Sequence, residues 1–213
     1  MDNSKLVCVS GNICSGKTSL VEALGSNYGW TIIPEPHEEN PFLVRFYSNM
    51  RRWAFPSQIY FLSKRFSLCR KSLEINDIVI QDRTIFEDAE IFTKYLYITN
   101  VLDSDQFNCY HELYMNIFEF IPIPHVIVYL YTSPDILMQR IINRGRKYEK
   151  YISEEYINGL NDLYESWISS YSLCPIIRVD TSNIDYLHDI NHLYRIKLEI
   201  SKVLSIENLR NEH

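Results

Sequence analysis

The segment LVCVSGNICSGKTSLVEALG, residues 6–25, runs an apolar stretch into a glycine-bounded loop and then into a helical pattern, and it restricts the fold more than any other part of the chain. Gly11, Asn12, Ile13, Cys14, Ser15, Gly16, Lys17 and Thr18 fit G-x-x-x-x-G-K-[ST], with Ser19 following inside the helical pattern. The backbone N–H groups of such a loop curl around a phosphate. Lys17 then reaches the outer phosphate oxygens, Thr18 supplies a hydroxyl to Mg²⁺, and the helix amino terminus adds partial positive charge. A glycine-rich turn bearing a surface lysine is the competing reading, and it leaves the strand before and the helix after unexplained. The motif speaks for phosphate binding without specifying the chemistry.

Four further apolar runs end in something polar or tight: 30–36, 77–83, 125–133 and 175–182. They are nearly continuous in Val, Ile and Leu rather than alternating, as strands of a parallel sheet covered on both faces must be. The intervening segments have helix length. KTSLVEAL is expected to open the first helix and Gly25 to close it; Pro56 is expected to start or kink a helix between 42 and 76; 86–120 reads as two helices broken near NVLDSD. Ser133 and Ser153 open two further helices, the first stopping at Gly145, and an amphipathic helix runs from Ile184 onward. The expected fold is α/β, a doubly wound five-stranded parallel sheet with a P-loop, flanked by helices on both faces and formed as one domain over 1–213.

Composition narrows the function. A net charge of −6 argues against a binder of phosphate backbones, which needs Lys and Arg to displace counterions. A small anionic ligand needs only a local basic pocket. Cys8, Cys14, Cys69, Cys109 and Cys174 are odd in number and lack metal-ligand spacing, so they read as reduced thiols of a cytoplasmic protein. The opening MDNSK leads straight into the first run, which leaves no room for a signal peptide, and no stretch is apolar enough to span a membrane.

Three places outside the loop carry charge where chemistry needs it. Asp82 ends the run DIVIQ, at the strand terminus where open α/β sheets put ligand contacts, and it could hold Mg²⁺ directly or through water. An aspartate ending a strand in a turn is the plainer alternative; Arg83 beside it, able to pair with a phosphate or orient a carboxylate, favours the site. Glu35, between Pro34 and Pro36, is a stiffly mounted carboxylate suited to accept a hydroxyl proton; a plain Pro-Glu-Pro turn is the alternative, and only its charged neighbours weigh against it. Arg140, Arg144 and Arg146 crowd the end of RIINRGR and repel one another unless an anion lies between them, the pattern of a lid over phosphates at about 140–152; a solvated basic helix end is the alternative.

Assembled, these residues resemble the deoxyribonucleoside kinase family. GNICSGKTSL is similar to its P-loop, PEPHEENPF to its catalytic-glutamate segment, RRWAFPSQIYFLSKR to its substrate-binding helix, QDRTIFEDAEIF to its Glu/Asp-Arg-Ser/Thr motif and RIINRGRKYE to its lid. The resemblance covers residues 6 to about 181. It implies ATP as donor, Mg²⁺, a homodimer, and phosphorylation of a deoxynucleoside 5′-hydroxyl in nucleotide salvage. By the same resemblance Glu35 is the general base, Arg83 steadies it, and Asp82, shorter than the glutamate many relatives carry at that place, assists Mg²⁺ through a bridging water. Tyr47 and Glu149 hold the sugar 3′-hydroxyl. Gln58 grips the base edge, Phe92 stacks on the base, and Trp53 and Phe55 pack the pocket. Arg65 and Asp88 form a charged pair that favours deoxyadenosine, deoxyguanosine or deoxycytidine over thymidine. Asp180 is counted with Arg140 and Arg144 among the donor-nucleotide contacts.

Two other functions remain on the sequence. A nucleoside monophosphate kinase would need a second basic site for the acceptor's phosphate, which Glu35 would repel. A silent nucleotide-binding regulatory subunit would lack the base, the metal carboxylate or the lid arginines, and all three are here.

Overall fold

A computed structural model describes residues 4–35, 39–182, 184 and 189–210, the side chains of 206–210 excepted. The phosphate-loop region comes first, with strand β1 (Lys5–Gly11) leading into helix α1 (Lys17–Tyr28). Then follow β2 (Thr31–Ile33), α2 (Leu43–Ser48), α3 (Met50–Ser72), β3 (Ile78–Asp82), α4 (Ile85–Glu87), a π-helical stretch (Asp88–Thr93) and α5 (Lys94–Ile98). The remainder is α6 (Ser104–Phe118), β4 (Val126–Tyr131), α7 (Pro134–Arg144), a single 3₁₀ turn (Glu149–Tyr151), α8 (Glu154–Ser170), β5 (Ile176–Asp180) and α9 (Ile190–Arg210).

All five strands pair in parallel, in the order β2-β3-β1-β4-β5. Successive side chains of a strand point to opposite faces, and here both faces are buried. Leu6 and Cys8 of β1, Val79 of β3, and Ile127 and Tyr129 of β4 pack with Leu62, Tyr110, Leu137 and Tyr164 of α3, α6, α7 and α8. Val7 and Val9, Ile80, and Val126, Val128 and Leu130 pack instead with Leu20 and Leu24 of α1 and Leu193 and Ile200 of α9. The expected strands, parallel sheet and two-sided helical cover are therefore present. The order turns at β1, which has β3 on one side and β4 on the other, so the crevice beyond the carboxyl ends of these strands is where a ligand is to be sought.

Two expectations about helices are decided by the structure. Gly25 does not end α1, which runs on to Tyr28 and stops at Gly29 in the left-handed conformation, φ 72°, its N–H bonded to the Gly25 carbonyl. Gly25 is glycine for closeness: a Cβ there would sit 2.4 Å from the Ile32 side chain. Of the two roles open to Pro56, starting a helix or kinking one, the first is excluded, because Pro56 lies inside α3 and the helix is begun by Asn49, whose side chain accepts from the Arg52 N–H. The aromatic segment 86–120 is indeed interrupted between Ile98 and Ser104, with Asp103 and Gln106 forming a reciprocal cap on α6. Ser153 caps α8 as expected, and α7 ends at Gly145. Among the described residues no helix is long and apolar enough to cross a membrane.

Candidate active site

The loop after β1 folds as the motif requires. Gly16 holds φ 98° at the start of α1, a conformation that costs a residue with a Cβ, and Cys14 is also left-handed at φ 64°. Asn12 bridges outward, its side-chain amide donating to the Ile157 carbonyl at 3.1 Å while its Oδ1 accepts the Ile13 N–H at 2.8 Å. Lys17 is buried and lies back over the loop, donating to the Asn12 carbonyl at 2.8 Å. Burial, and next the nearby Arg83, push the Lys17 amine down to about 8, against the pull of Asp82 and Glu35.

Thr18 donates its hydroxyl to Asp82 Oδ2 at 2.6 Å, which brings the two expected metal-side residues together. The other oxygen of that carboxylate, Oδ1, is buried without a hydrogen-bond partner, and burial followed by repulsion from Glu35 raises the Asp82 carboxyl above its ordinary range. An unsatisfied buried carboxylate oxygen beside a hydroxyl is a donor set that suits a hard cation.

Glu35 stands just past β2 and accepts from Arg83 Nε at 2.7 Å, with Arg65 Nη2 3.5 Å from the same oxygen. Pro36 lies outside the described residues. Arg83 is left-handed at φ 70°; its N–H donates to the Val9 carbonyl at 2.8 Å and its own carbonyl accepts from Gln81 at 2.9 Å, so the backbone is clamped at both ends of the strained residue. The Arg83 guanidinium sits 4.7 Å from the centre of the Phe92 ring. Arg65, almost fully buried on α3, pairs through Nε with Asp88. Burial raises the Asp88 carboxyl to about 6 in spite of that arginine, and Arg65, against the effect of its own burial, is held above its ordinary value by Asp88 and Glu35.

One cavity of about 590 Å³ is lined by Lys17, Thr18 and Ser19 of the phosphate-loop region together with Gln58, Arg65, Asp88 and Phe92. Glu35 and Arg83 lie on its wall, as do Tyr47, Arg140, Arg144, Arg146 and Glu149. The Tyr47 ring stacks on Tyr148 with centroids 5.7 Å apart. The anion expected between the arginines is supplied by the chain itself: Glu149 accepts from Arg144 Nε at 3.1 Å and from its Nη2, with Arg146 3.8 Å away. Arg140 is held differently, donating to the Thr181 carbonyl at 2.7 Å.

Seven of the expected site residues, Gly11, Asn12, Ser15, Asp82, Trp53, Phe55 and Asp180, are not among those lining the cavity. Trp53 stacks on Phe42 and carries the Arg45 and Arg52 guanidinium groups on its faces, at 5.0 and 5.2 Å, because its position on α3 turns it away from the wall. Phe55 is taken up in packing between α3 and its neighbours. Asp180 spends its carboxylate on the Ser182 N–H at 2.9 Å. Phe46, Phe61, Tyr148 and Tyr156 are lining residues that the sequence reading passed over. Glu87 was also missed, although the capping-box spacing Thr84-x-x-Glu87 can be read in TIFE.

A model of the deoxynucleoside kinase family matches residues 7–205. The chain belongs to that family of kinases. It is 31% identical over 203 residues to the deoxyadenosine/deoxycytidine kinase of Bacillus subtilis, covering 94% of each chain. The deoxyadenosine kinase of M. mycoides with bound dATP superposes with a TM-score of 0.80 at 31% identity, covering 91% of this chain and 98% of that one. The same enzyme with products dCMP and a flexible dCDP gives a TM-score of 0.80 at 29% identity, covering 94% and 99%.

Proposed function

We propose that this chain transfers the γ-phosphate of ATP to the 5′-hydroxyl of a deoxynucleoside whose base carries an exocyclic amine, with deoxyadenosine slightly favoured. The observation that carries the reading is Glu35, held 2.7 Å from Arg83 Nε on the wall of the cavity that Lys17 and Thr18 also line. In this reading the base occupies the part bounded by Gln58, Arg65, Asp88 and Phe92, and the sugar lies toward Tyr47 and Glu149. Glu35 takes the 5′-hydroxyl proton while Arg83 keeps that carboxylate aimed. Lys17 meets the donor phosphates. Arg140, Arg144 and Arg146 face charge on the transferring group, the last two leaving Glu149 as the segment 140–152 acts as a lid. Thr18 and Asp82 are the residues that would hold Mg²⁺, which would supply positive charge to neutralise the donor phosphates.

The chain is taken as one domain, and as a homodimer for which exposed Leu113 and Met115 on α6 offer apolar surface. Five free cysteines fit a reducing cytoplasm. Relatives named for deoxyadenosine and deoxycytidine, and a related structure holding dATP, support the substrate class. A panel of the four deoxynucleosides plus thymidylate with ATP and Mg²⁺, scored for phosphorylated product, tests the reading. Deoxyadenosine, deoxyguanosine or deoxycytidine monophosphate is the expected product; phosphorylation of thymidylate alone would make the chain a monophosphate kinase.

Donor affinity should also depend on pH through Lys17. Its amine, pushed down to about 8 by burial, must be protonated to meet phosphate oxygens. Below that pH the charge is already present. Above it, binding takes up a proton and affinity falls by up to about tenfold per pH unit. Calorimetry in buffers of different ionisation heat reads the uptake directly; donor affinity constant from pH 7 to 9.5 would remove Lys17 from the phosphate contacts.

A further inference from the structure

We propose that Glu87 and Tyr164, neither of which touches the cavity, are the positioning pair for Arg83 and through it for Glu35. The proposal rests on the roles given to those two residues above. Glu87 is fully buried at the end of α4, and both its oxygens are engaged. Oε2 accepts the Thr84 N–H at 2.6 Å. Oε1 accepts from Gly11 N–H at 3.3 Å, from Arg83 Nη1 at 3.2 Å and from the Tyr164 hydroxyl at 2.7 Å. Tyr164 in turn accepts from Arg83 Nη1 at 2.7 Å, which closes a three-membered ring of guanidinium, phenol and carboxylate. Burial holds the phenol well above its ordinary range, so it stays a donor to Glu87.

Taking a carboxylate and a guanidinium wholly out of water is costly, and an apolar packing of the same volume is often as stable. The ring does something that such packing cannot. Arg83 stands between two carboxylates, and its Nη1 edge is drawn to the buried one while Nε is presented to Glu35 on the cavity wall. Release of Nη1 lets the planar fork turn both nitrogens onto Glu35, the preferred bidentate geometry, which lowers the basicity of that carboxylate. The same Glu87 oxygen receives the N–H of Gly11, so the strand end that opens the phosphate loop and the arginine that aims the base share one buried anion.

Tyr164→Phe removes one hydroxyl and keeps the ring packed against Phe92 and Tyr129. We expect turnover to fall roughly 10- to 100-fold, with the deoxynucleoside KM within about twofold and the melting temperature little changed. A merely structural role would not make the effect depend on Arg83. In an Arg83→Lys background, which has no Nη1 to hold, adding Tyr164→Phe is expected to change turnover less than about twofold. An equal loss in both backgrounds, or turnover by Tyr164→Phe within twofold of the unmodified chain, overturns the proposal. Should that variant not fold, Glu87→Gln carries the same two comparisons. Near-normal turnover by Glu35→Gln removes the assignment beneath, whereas normal turnover by Tyr164→Phe alongside an inactive Glu35→Gln removes this proposal alone.

Discussion

Glu35→Gln is expected to lower turnover 100-fold or more while leaving the deoxynucleoside bound. Glutamine keeps the shape, and its carbonyl oxygen can still accept from Arg83 Nε, now 2.7 Å from Glu35 Oε1. The lost property is basicity: an amide cannot take the hydroxyl proton, and general base catalysis at a positioned side chain contributes about 10²- to 10⁴-fold. Affinity should hold or tighten, since the change removes a negative charge from a wall that already carries Asp88 and Glu149. Steady-state turnover beside equilibrium binding of the deoxynucleoside separates the two. Turnover near that of the unmodified chain would take Glu35 out of the mechanism and leave Asp82 as the carboxylate to examine next.

The fold was legible where local composition and tertiary demand coincide. Val7 and Val9 face one core and Leu6 and Cys8 the other, so the run had to be apolar throughout, and that is visible without any structure. Helix ends were less legible, because a glycine can serve conformation or clearance. Gly25 serves clearance for Ile32, and Gly29 four residues later serves conformation. At the site, residues carried by a motif or a strand end came together: Lys17 and Thr18, Asp82 and Arg83, Glu35. Residues whose function depends on which way a helix is turned did not follow so simply. Trp53 and Gln58 lie on the same helix, yet Gln58 faces the cavity and Trp53 stacks on Phe42. The charge crowding at Arg140, Arg144 and Arg146 was readable; its partner Glu149 had been read only as a sugar contact. Glu87 and Tyr164 are 77 positions apart, and nothing local to either announces the other.

The pair Arg65 and Asp88 should set base choice, and breaking it should damage the protein before it alters selectivity. Both side chains are at most 4% exposed and are joined through Nε and Oδ2. Asp88→Asn alone strands a buried guanidinium, and Arg65→Met alone strands a buried carboxylate; each should cost about 3–5 kcal/mol of stability and depress every activity. Removing both charges, as Arg65→Met with Asp88→Ala, takes away the stranded ion and opens room beside the base. A carboxylate flanked by arginine accepts from an exocyclic amine, whereas thymidine presents a methyl and a carbonyl, and setting these against a desolvated charge pair costs about 1–3 kcal/mol. The ratio of kcat/KM for thymidine over deoxyadenosine should therefore rise roughly 5- to 150-fold in the double variant. Absolute rates will fall, because Arg65 also lies 3.5 Å from Glu35 and donates to the Asp82 carbonyl at 3.5 Å, so the ratio is the quantity to read. Thymidine phosphorylated by the unmodified chain faster than all three amine-bearing deoxynucleosides would show that the pair does not exclude it.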